Sequence, residues 1–410
     1  MRSLAVVGLC SIACVACRPS VPPLDLDGST SRDAPALDTN TDSGPPPGTC
    51  HFDMTNDLFE LDTDSRAETN RVATAGGPTS FGVVYSRRDA SGGENVFFVE
   101  IPSGSGAPTT PQPLTTGTFI NTAPTITRTR TGWLIAWRSN RDGNAELYAL
   151  GSGADGRLAS APTRVTSTPS IDEQTPALAS NGTTSALAWA EPGTPTTTVV
   201  RALGADGTTS GMPARTSPAG FSMVPTAFTT TDVGYLVGWG DPNGDALIQP
   251  LALDGTAMGA PLALTAEHNT DGTLDAVVAS GSTGGGAVVY GAIPGGGRHD
   301  VHAHLVDRAG ALTFAEHVLT IGLDNGEGAS IAEIGGGFAV AYRQVGTPPM
   351  LRVAFFDSLL NAIGHGDLVP MAATGGPITL RIAADGNLLL TWGDVVGTTS
   401  QVRAVRLRCQ

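Results

Sequence analysis

The stretch of sequence that decides the fold is Trp133-Leu-Ile-Ala-Trp-Arg-Ser-Asn-Arg-Asp-Gly-Asn-Ala-Glu-Leu-Tyr-Ala-Leu150. Its two short apolar runs, Trp133–Trp137 and Glu146–Leu150, are separated by the polar segment Asn140–Asn144. Asn, Asp and Gly favour tight turns between strands, so this stretch predicts a β-hairpin. One further strand is predicted on each side, at Ala123–Arg128 and at Pro162–Thr166. The four strands predict an antiparallel meander, which is the blade of a β-propeller.

Similar apolar strands, each ending in an aromatic residue, recur along the chain at nearly constant spacing. The aromatic residues are Tyr85, Trp137, Trp189, Trp239, Tyr290, Tyr342 and Trp392. Successive members are 52, 52, 50, 51, 52 and 50 residues apart. A period near 50 residues indicates a repeat architecture. The sequence therefore predicts an all-β fold, namely a seven-bladed β-propeller of four-stranded antiparallel blades.

Fourth strands recur as well, and most of them open with proline. A missing N–H costs little on an edge strand, so proline suits the outermost strand of a blade. The predicted fourth strands are Pro111–Thr115, Pro162–Thr166, Pro213–Ser217, Pro261–Thr265, Glu316–Thr320 and Asp367–Met371. A seventh is missing because the chain ends in a third strand, Gln401–Gln410. Since an open blade leaves an unpaired edge, we expect the N-terminal strand Asp57–Leu61 to close the ring.

Two cysteines, Cys50 and Cys409, lie outside the amino-terminal leader. Cys409 ends the last third strand, and Cys50 begins the segment expected to lie beside it. In the other blades a hairpin joins these two points, so a disulfide would replace the missing covalent link. An oxidising compartment permits that bond, and two free thiols are the alternative.

Residues 1–17 have the features of a secretory signal. One positive charge is followed by the apolar run Leu4–Ala16, which is too short to span a bilayer. Val15-Ala16-Cys17 resembles the lipobox of bacterial lipoproteins, which implies diacylation of Cys17 and a mature chain that begins there. Cys14 is a second match with a shorter apolar core, and an ordinary cleaved signal is the alternative. Because Arg18 replaces the Asp usual in members retained at the inner membrane, the resemblance implies an outer-membrane lipoprotein.

Residues 18–49 are rich in Pro, Asp, Ser and Thr and contain no aromatic residue. Such a segment buries too little apolar surface to offset its ordering entropy, so we expect a disordered tether. The predicted organisation is thus a signal peptide over 1–17, a tether over 18–49 and a propeller over 50–410.

The composition narrows the range of partners. The 410 residues carry a formal net charge of −15, and all 23 basic residues are arginine, which is typical of GC-rich coding sequence. No basic stripe is present to replace phosphate counterions, so nucleic acid is excluded as a partner. An acidic surface leaves cations or basic proteins as partners, or serves only solubility.

The run Trp137–Tyr148 resembles the repeat of TolB-type propellers, in which a Ser-x-Arg-Asp-Gly-Asn turn joins strands two and three. Partial echoes occur at Arg87–Asp89 and Asp241–Asp245. The resemblance implies propeller architecture and carries over no partner.

Two groups of residues have the spacing of metal ligands. Asp241, Asn243 and Asp245 alternate like the start of an oxygen-rich Ca²⁺ loop, as do Asn140, Asp142 and Asn144, but both lack the glycine and distal glutamate of a full loop. Hairpin turns require the same residue types, so Ca²⁺ is a minor alternative to a protein without cofactors. His299, His302 and His304 fall in a predicted third strand, with His302 and His304 on one face. No third ligand accompanies that pair, and zinc needs three or four, which favours solvated or packed histidines.

Charged residues cluster in two sets of loops that lie on one face of a propeller. The connections between blades carry Asp172, Glu173, Glu267, Asp271, Asp324 and Glu327, and the turns between second and third strands carry Arg87, Arg88, Arg138, Arg141, Arg298 and Arg343. We expect any ligand to bind this candidate binding face, although solvated loops with weak surface pairing give the same pattern.

No nucleophile elbow, zinc-protease motif, phosphate loop or sialidase box occurs, and no catalytic residue is assigned. The sequence favours a non-catalytic scaffold, anchored to the membrane by lipid, that binds an envelope protein or a glycan. The alternative is a polysaccharide hydrolase or lyase that uses inter-blade acids, and a third reading is a spacer that shields the cell surface. Several acids converging in the channel would favour the enzyme. The oligomeric state stays open.

Overall fold

The protein is described from a computed structural model over residues 50–51, 56–63, 67–89, 91–152, 157–159, 161–193, 196–216, 225–240, 244–264, 269–278, 285–293, 299–320, 326–346, 349–370, 378–396 and 399–409. These residues form 29 β-strands arranged in seven antiparallel sheets, one for each blade of a propeller. The predicted fold class is confirmed. The predicted signal peptide with Cys17 and the predicted tether lie outside the described residues. In the described part of the chain, no helix is long and apolar enough to cross a membrane.

The strands are numbered in chain order and grouped by blade. Blade 1 holds β3 (Ala67–Gly76), β4 (Ser80–Arg88), β5 (Glu94–Pro102) and β6 (Gln112–Pro113); blade 2 holds β7 (Asn121–Arg128), β8 (Trp133–Ser139), β9 (Glu146–Gly151) and β10 (Thr163–Arg164); blade 3 holds β11 (Ala177–Ser180), β12 (Ser185–Glu191), β13 (Thr197–Leu203) and β14 (Thr209–Thr216). Blade 4 holds β15 (Ala227–Thr230), β16 (Gly234–Gly240), β17 (Ala246–Ala252) and β18 (Leu262–Ala263); blade 5 holds β19 (Asn269–Val278), β20 (Gly286–Ile293), β21 (Asp300–Val306) and β22 (His317–Val318). Blade 6 holds β23 (Gly326–Ile334), β24 (Gly337–Gln344), β25 (Met350–Asp357) and β26 (Ala362–Pro370); blade 7 holds β27 (Ile378–Ile382), β28 (Leu388–Val396), β29 (Thr399–Cys409), β1 (Cys50–His51) and β2 (Leu58–Asp62).

The fourth strands differ most from the sequence prediction. In blades 1, 2, 4 and 5 they shrink to two residues, whereas β14 and β26 have eight and nine residues. Proline explains part of this shortening, because Pro111, Pro162 and Pro261 cannot donate to the neighbouring strand and lie just outside the pairing. The three inner strands predicted for blade 2 and the third strand predicted at the carboxyl end agree closely with β7, β8, β9 and β29.

The seventh blade is closed from the amino terminus, as predicted. Two segments, β1 and β2, pair one after the other with the same edge of β29, where a single strand is expected from the sequence. Cys50 lies directly opposite Cys409, and the two form the predicted disulfide. The ring of blades is therefore closed both by hydrogen bonds and by a covalent bond.

A buried ion pair reinforces this closure. Arg406 on β29 donates from Nε and from a terminal nitrogen to Oδ1 of Asp57, at 2.9 and 2.8 Å. Both side chains are buried, and Arg406 also donates to the backbone oxygens of Pro102 and Gly106 in blade 1. The arginine thus ties the amino-terminal segment, blade 7 and blade 1 together.

The core is divided among the interfaces between blades. The described apolar residues form seven clusters, and each cluster combines residues of two neighbouring blades, including blades 7 and 1. Every one of the seven repeated aromatic residues is buried and packs against the preceding blade. An aromatic side chain buries about 200 Å², so each contributes up to about 5 kcal/mol of apolar transfer free energy. The spacing of these residues therefore sets the spacing of the blades.

Candidate binding face and central channel

The inter-blade connections and the turns between second and third strands meet at one end of the propeller. The amide of Glu173 donates to the carbonyl of Ala145 at 2.9 Å, and that of Gly326 donates to the carbonyl of His299 at 2.9 Å. Each of these bonds joins a connection to a neighbouring turn. The described residues of the predicted face thus share one surface.

At blades 2 and 3, most of the predicted residues are engaged within the protein. Asp172 is exposed and accepts a hydrogen bond from the amide of Ala145 at 2.7 Å. Arg138 donates from Nε to the backbone oxygen of Glu173 at 2.6 Å. The guanidinium of Arg141 lies 3.5 Å from the centre of the Tyr148 ring, a cation–π contact. These contacts fix the loops, and Arg138 is also part of the channel lining.

Among the described members of the predicted face, Glu173 is the one that is fully buried. Its Oε1 accepts a hydrogen bond from the Thr168 hydroxyl at 2.7 Å, while Oε2 has no partner in the described structure. Burial raises the pKa of Glu173 to about 7, and the negative charges of Glu191 and Glu146 act in the same direction. The carboxyl therefore changes its charge near neutral pH.

At blades 5 and 6, the predicted acids bridge neighbouring blades. Asp271 accepts hydrogen bonds from the amide of Thr273 at 2.8 Å and from the amide of Gly328 at 3.3 Å. Glu327 is paired with Arg343 at 2.8 Å and lies 3.8 Å from His299. Glu267 and Asp324 lie outside the described residues. The acids of this sector are therefore used in loop structure.

The suggested Ca²⁺ loops are only partly described. Asp241 and Asn243 lie outside the described residues, and Asp245 is exposed. In the related turn, Asp142 pairs with Arg164 at 2.9 Å and accepts from the Tyr148 hydroxyl, while Asn144 donates to backbone oxygens. These side chains therefore stabilise a hairpin. No three His, Cys, Asp or Glu side chains are grouped to hold a metal among the residues with described positions.

The three histidines are structural in their surroundings. His302 and His304 lie on one face of β21, buried against Tyr290 with ring centres 5.7 and 6.1 Å away. Nδ1 of His302 lies 2.7 Å from Oε1 of Glu316, and Nε2 of His304 lies 3.0 Å from the carbonyl of Leu264 in blade 4. The sequence prediction placed His299 in the third strand of blade 5, but β21 begins one residue later, at Asp300. The backbone carbonyl of His299 instead accepts a hydrogen bond from the amide of Gly326 in the next blade.

A channel of about 790 Å³ runs through the centre of the ring. It is lined by the seven first strands, each of which pairs with a neighbour on one side only. Their unpaired backbone N–H and C=O groups therefore face the channel. Hydroxyl groups line it too, among them those of Thr125, Thr127, Thr175, Thr229 and Thr379. Such a lining offers many donors and acceptors to a polar guest.

One ion pair spans the channel wall. Arg381 of blade 7 donates to Oδ2 of Asp275 in blade 5 at 2.8 Å and to the Ser330 hydroxyl of blade 6 at 3.2 Å. Ser330 in turn donates to Asp275 at 2.6 Å. Arg128, Arg138 and Glu333 are the other charged residues of the described lining. Burial raises the pKa of Glu333 and lowers that of Arg128.

The sequence prediction missed the channel residues Asp275, Ser330, Arg381 and Arg128, because it searched the loops rather than the innermost strands. The available signal for Asp275 was an acid within a first strand, at a position where three other blades have alanine. Ala177 and Ala227 occupy the register positions that correspond to Asp275. A comparison of the repeats position by position would have found it.

Comparison with known proteins bears on the fold. No protein-family model matches the sequence, and no curated protein does either. Among solved structures, the chain is similar to the BP39L lectin of Burkholderia pseudomallei, with 14% identity, a TM-score of 0.56, and coverage of 83% of this chain and 96% of the lectin. It also aligns with Raptor of Chaetomium thermophilum, with 12% identity, a TM-score of 0.49, and coverage of 88% and 30%. The NanB sialidase of Streptococcus pneumoniae aligns at 8% identity, a TM-score of 0.48, and coverage of 87% and 70%. Likenesses this remote in sequence concern architecture alone.

Proposed function

We propose that the protein is a non-catalytic binding protein of the cell envelope that takes a glycan into its central channel. The single observation that carries the proposal is a channel of about 790 Å³ lined by hydroxyl and backbone polar groups. That volume falls within the range of ligand pockets, roughly 300–1,000 Å³. A sugar presents hydroxyl groups of matching chemistry. The likeness to a lectin adds that a related fold serves carbohydrate binding in another protein.

Binding is favoured over cleavage by the state of the carboxyl groups. Glycosidases place two carboxyl groups about 5–9.5 Å apart on either side of the bond to be cleaved. In the described lining, Asp275 is bound by Arg381, Ser330 and the amide of Ile331, which leaves Glu333 as the carboxyl without such partners. Glu173 has the pKa of a general acid but is buried away from the channel lining.

The proposed location follows from the amino terminus. We infer that a lipid on Cys17 holds the protein at the outer membrane and that residues 18–49 keep the propeller clear of it. Palmitate labelling and membrane fractionation test this inference. A Cys17→Ser variant is expected to lose both label and membrane association, whereas Cys14→Ser retains them. If Cys14→Ser instead lost the label and Cys17→Ser kept it, the lipid would be assigned to Cys14.

The binding function is tested by applying the purified protein to an array of envelope and extracellular glycans and then incubating it with each bound polysaccharide. We expect binding without new reducing ends and without the ultraviolet absorbance of unsaturated uronates. New reducing ends or that absorbance would establish the hydrolase or lyase instead. Capture of an envelope protein, with no glycan bound on the array, would replace the glycan by a protein partner.

A further inference from the structure

The channel differs in charge from the rest of the molecule. The whole chain has a formal net charge of −15. The described lining carries Arg128, Arg138 and Arg381 against Asp275 and Glu333, three positive charges and two negative ones, or a formal +1. In a protein with 38 acidic and 23 basic residues, a positive interior surface requires an explanation.

Two of these arginines have no carboxylate partner among the described residues. Ten described arginines, Arg381 included, have a carboxylate oxygen within 4.0 Å. Arg138, by contrast, bonds a backbone carbonyl. Arg128 lies over the Trp133 ring at 5.0 Å. Glu100, which accepts a hydrogen bond from the Ser80 hydroxyl, acts on Arg128 through its charge without forming an ion pair within 4.0 Å. A half-buried guanidinium that forms no ion pair with a carboxylate retains part of its desolvation cost, which a bound anion would offset.

The two arginines lie toward opposite ends of the channel. Arg138 pairs with Thr122 near the end of β8, and Arg128, the last residue of β7, pairs with Trp133 at the start of β8. Trp133 and Arg138 are five residues apart on β8, which corresponds to roughly 17 Å along the strand at about 3.3 Å per residue. That span exceeds a single sugar ring. An anionic ligand that contacts both arginines must therefore be an oligomer lying along the channel.

We propose that the channel binds an acidic oligosaccharide, with one carboxylate or sulfate group held by Arg138 near the binding face and another held by Arg128 near the opposite end. This inference rests on the proposed glycan binding and specifies its ligand class. The threonine hydroxyls between the two arginines receive the sugar hydroxyls. Arg381 contributes less to the selection of anions, because Asp275 already neutralises it.

Isothermal titration calorimetry with the purified protein tests the proposal. The probes are a sulfated tetrasaccharide, a tetragalacturonate and neutral maltotetraose, each at 50 and 200 mM salt. We expect the acidic probes to bind at least tenfold more tightly than the neutral one and to weaken at higher salt, because mobile ions screen charge over about 10 Å at 0.1 M. Arg128→Gln and Arg138→Gln should each weaken acidic probes about tenfold, the value of one charge-assisted hydrogen bond.

Arg130→Gln is the matched control. Arg130 lies two residues from Arg128, is exposed and is not part of the channel lining, so its loss should leave affinity unchanged. Arg138→Lys, which keeps the charge, should retain most of the affinity, and a folded melting profile of Arg138→Gln excludes loop collapse as the cause of any loss. Equal binding of acidic and neutral probes, or an equal loss in Arg130→Gln, overturns the acidic specificity and leaves glycan binding intact. No binding of any saccharide, here or on the array, overturns both.

Discussion

Replacing Glu173 with glutamine is expected to stabilise the protein at alkaline pH and to remove part of its pH dependence. Glu173 is buried, and its pKa lies near 7 because burial and the charges of Glu146 and Glu191 disfavour the carboxylate. In the unfolded chain the same group has a pKa of about 4.3. Between about pH 4.3 and about pH 7, Glu173 is therefore protonated in the folded state and ionised in the unfolded state.

The sign and size follow from proton linkage. Because the folded pKa is raised, stability falls as pH rises from about 4.3 to about 7 and stays low above that value. Each tenfold difference in proton affinity corresponds to about 1.4 kcal/mol, so the ionised Glu173 costs roughly 3.5 kcal/mol at pH 8. Between pH 5 and pH 8, the part of the change due to this residue is about 2.5 kcal/mol. Glutamine is uncharged at both values.

Urea unfolding at pH 5 and pH 8, followed by tryptophan fluorescence, measures the effect. The wild-type protein should lose stability between the two values, and Glu173→Gln should lose about 2.5 kcal/mol less. Glu60→Gln is the control, because Glu60 is exposed and surface substitutions change stability by less than about 0.5 kcal/mol. Parallel pH profiles for wild type and Glu173→Gln would refute the account of Glu173 as a buried carboxyl that titrates near neutrality.

Three further predictions concern closure and the channel. Asp57→Asn should destabilise the protein by about 3–5 kcal/mol in urea unfolding, because it leaves the buried Arg406 without a counter-charge. Asp232→Asn is the control, since loss of its exposed ion pair should cost under about 1 kcal/mol. Equal costs for the two variants would contradict the role of burial. Replacing both Cys50 and Cys409 with serine, across a separation of 359 residues, should lower stability by up to about 6 kcal/mol in the chain-entropy model, and an unchanged midpoint would show that strand pairing and the ion pair suffice. Since burial raises the pKa of Glu333 above its usual value, Glu333 takes up its proton at a higher pH than a solvated glutamate does, and affinity for the sulfated probe should rise as the pH is lowered. Glu333→Gln should show the tighter affinity already at pH 7, and a pH response that survives in this variant would exclude Glu333 as its source.

The architecture was predictable because one constraint repeats seven times. Each aromatic such as Trp137 or Tyr290 packs between its own blade and the preceding one, so the same contact recurs once in every repeat. The closure was predictable for a related reason, since a third strand at the carboxyl end required a partner. The length of the fourth strands was less predictable, because an edge strand is held from one side and proline interrupts it at different points.

The candidate site was predicted less well, and the reason is physical. Loop charges such as Asp172 and Glu327 attract attention in a sequence, yet in the structure they satisfy amides and arginines of neighbouring loops. Glu173 was chosen for its charge, but its burial, which determines its chemistry, depends on packing between blades 2 and 3 that the sequence does not display. The pairing of Asp275 with Arg381 joins residues 106 positions apart and could not be read from local spacing.

The same division explains where specificity can reside in this fold. Residues that face a neighbouring blade are constrained in size by the packing between blades, whereas residues on the innermost strands are free to differ. In each blade, one first-strand residue pairs with the residue that precedes the repeated aromatic. These first-strand residues are Ala73, Thr125, Ala177, Ala227, Asp275, Ser330 and Thr379, so a single acid occurs among the seven equivalent positions. Seven equivalent sites would require the same polar residue in every blade. A lining in which Asp275 occurs once, with both unpaired arginines on blade 2, instead favours one ligand bound in one direction along the axis.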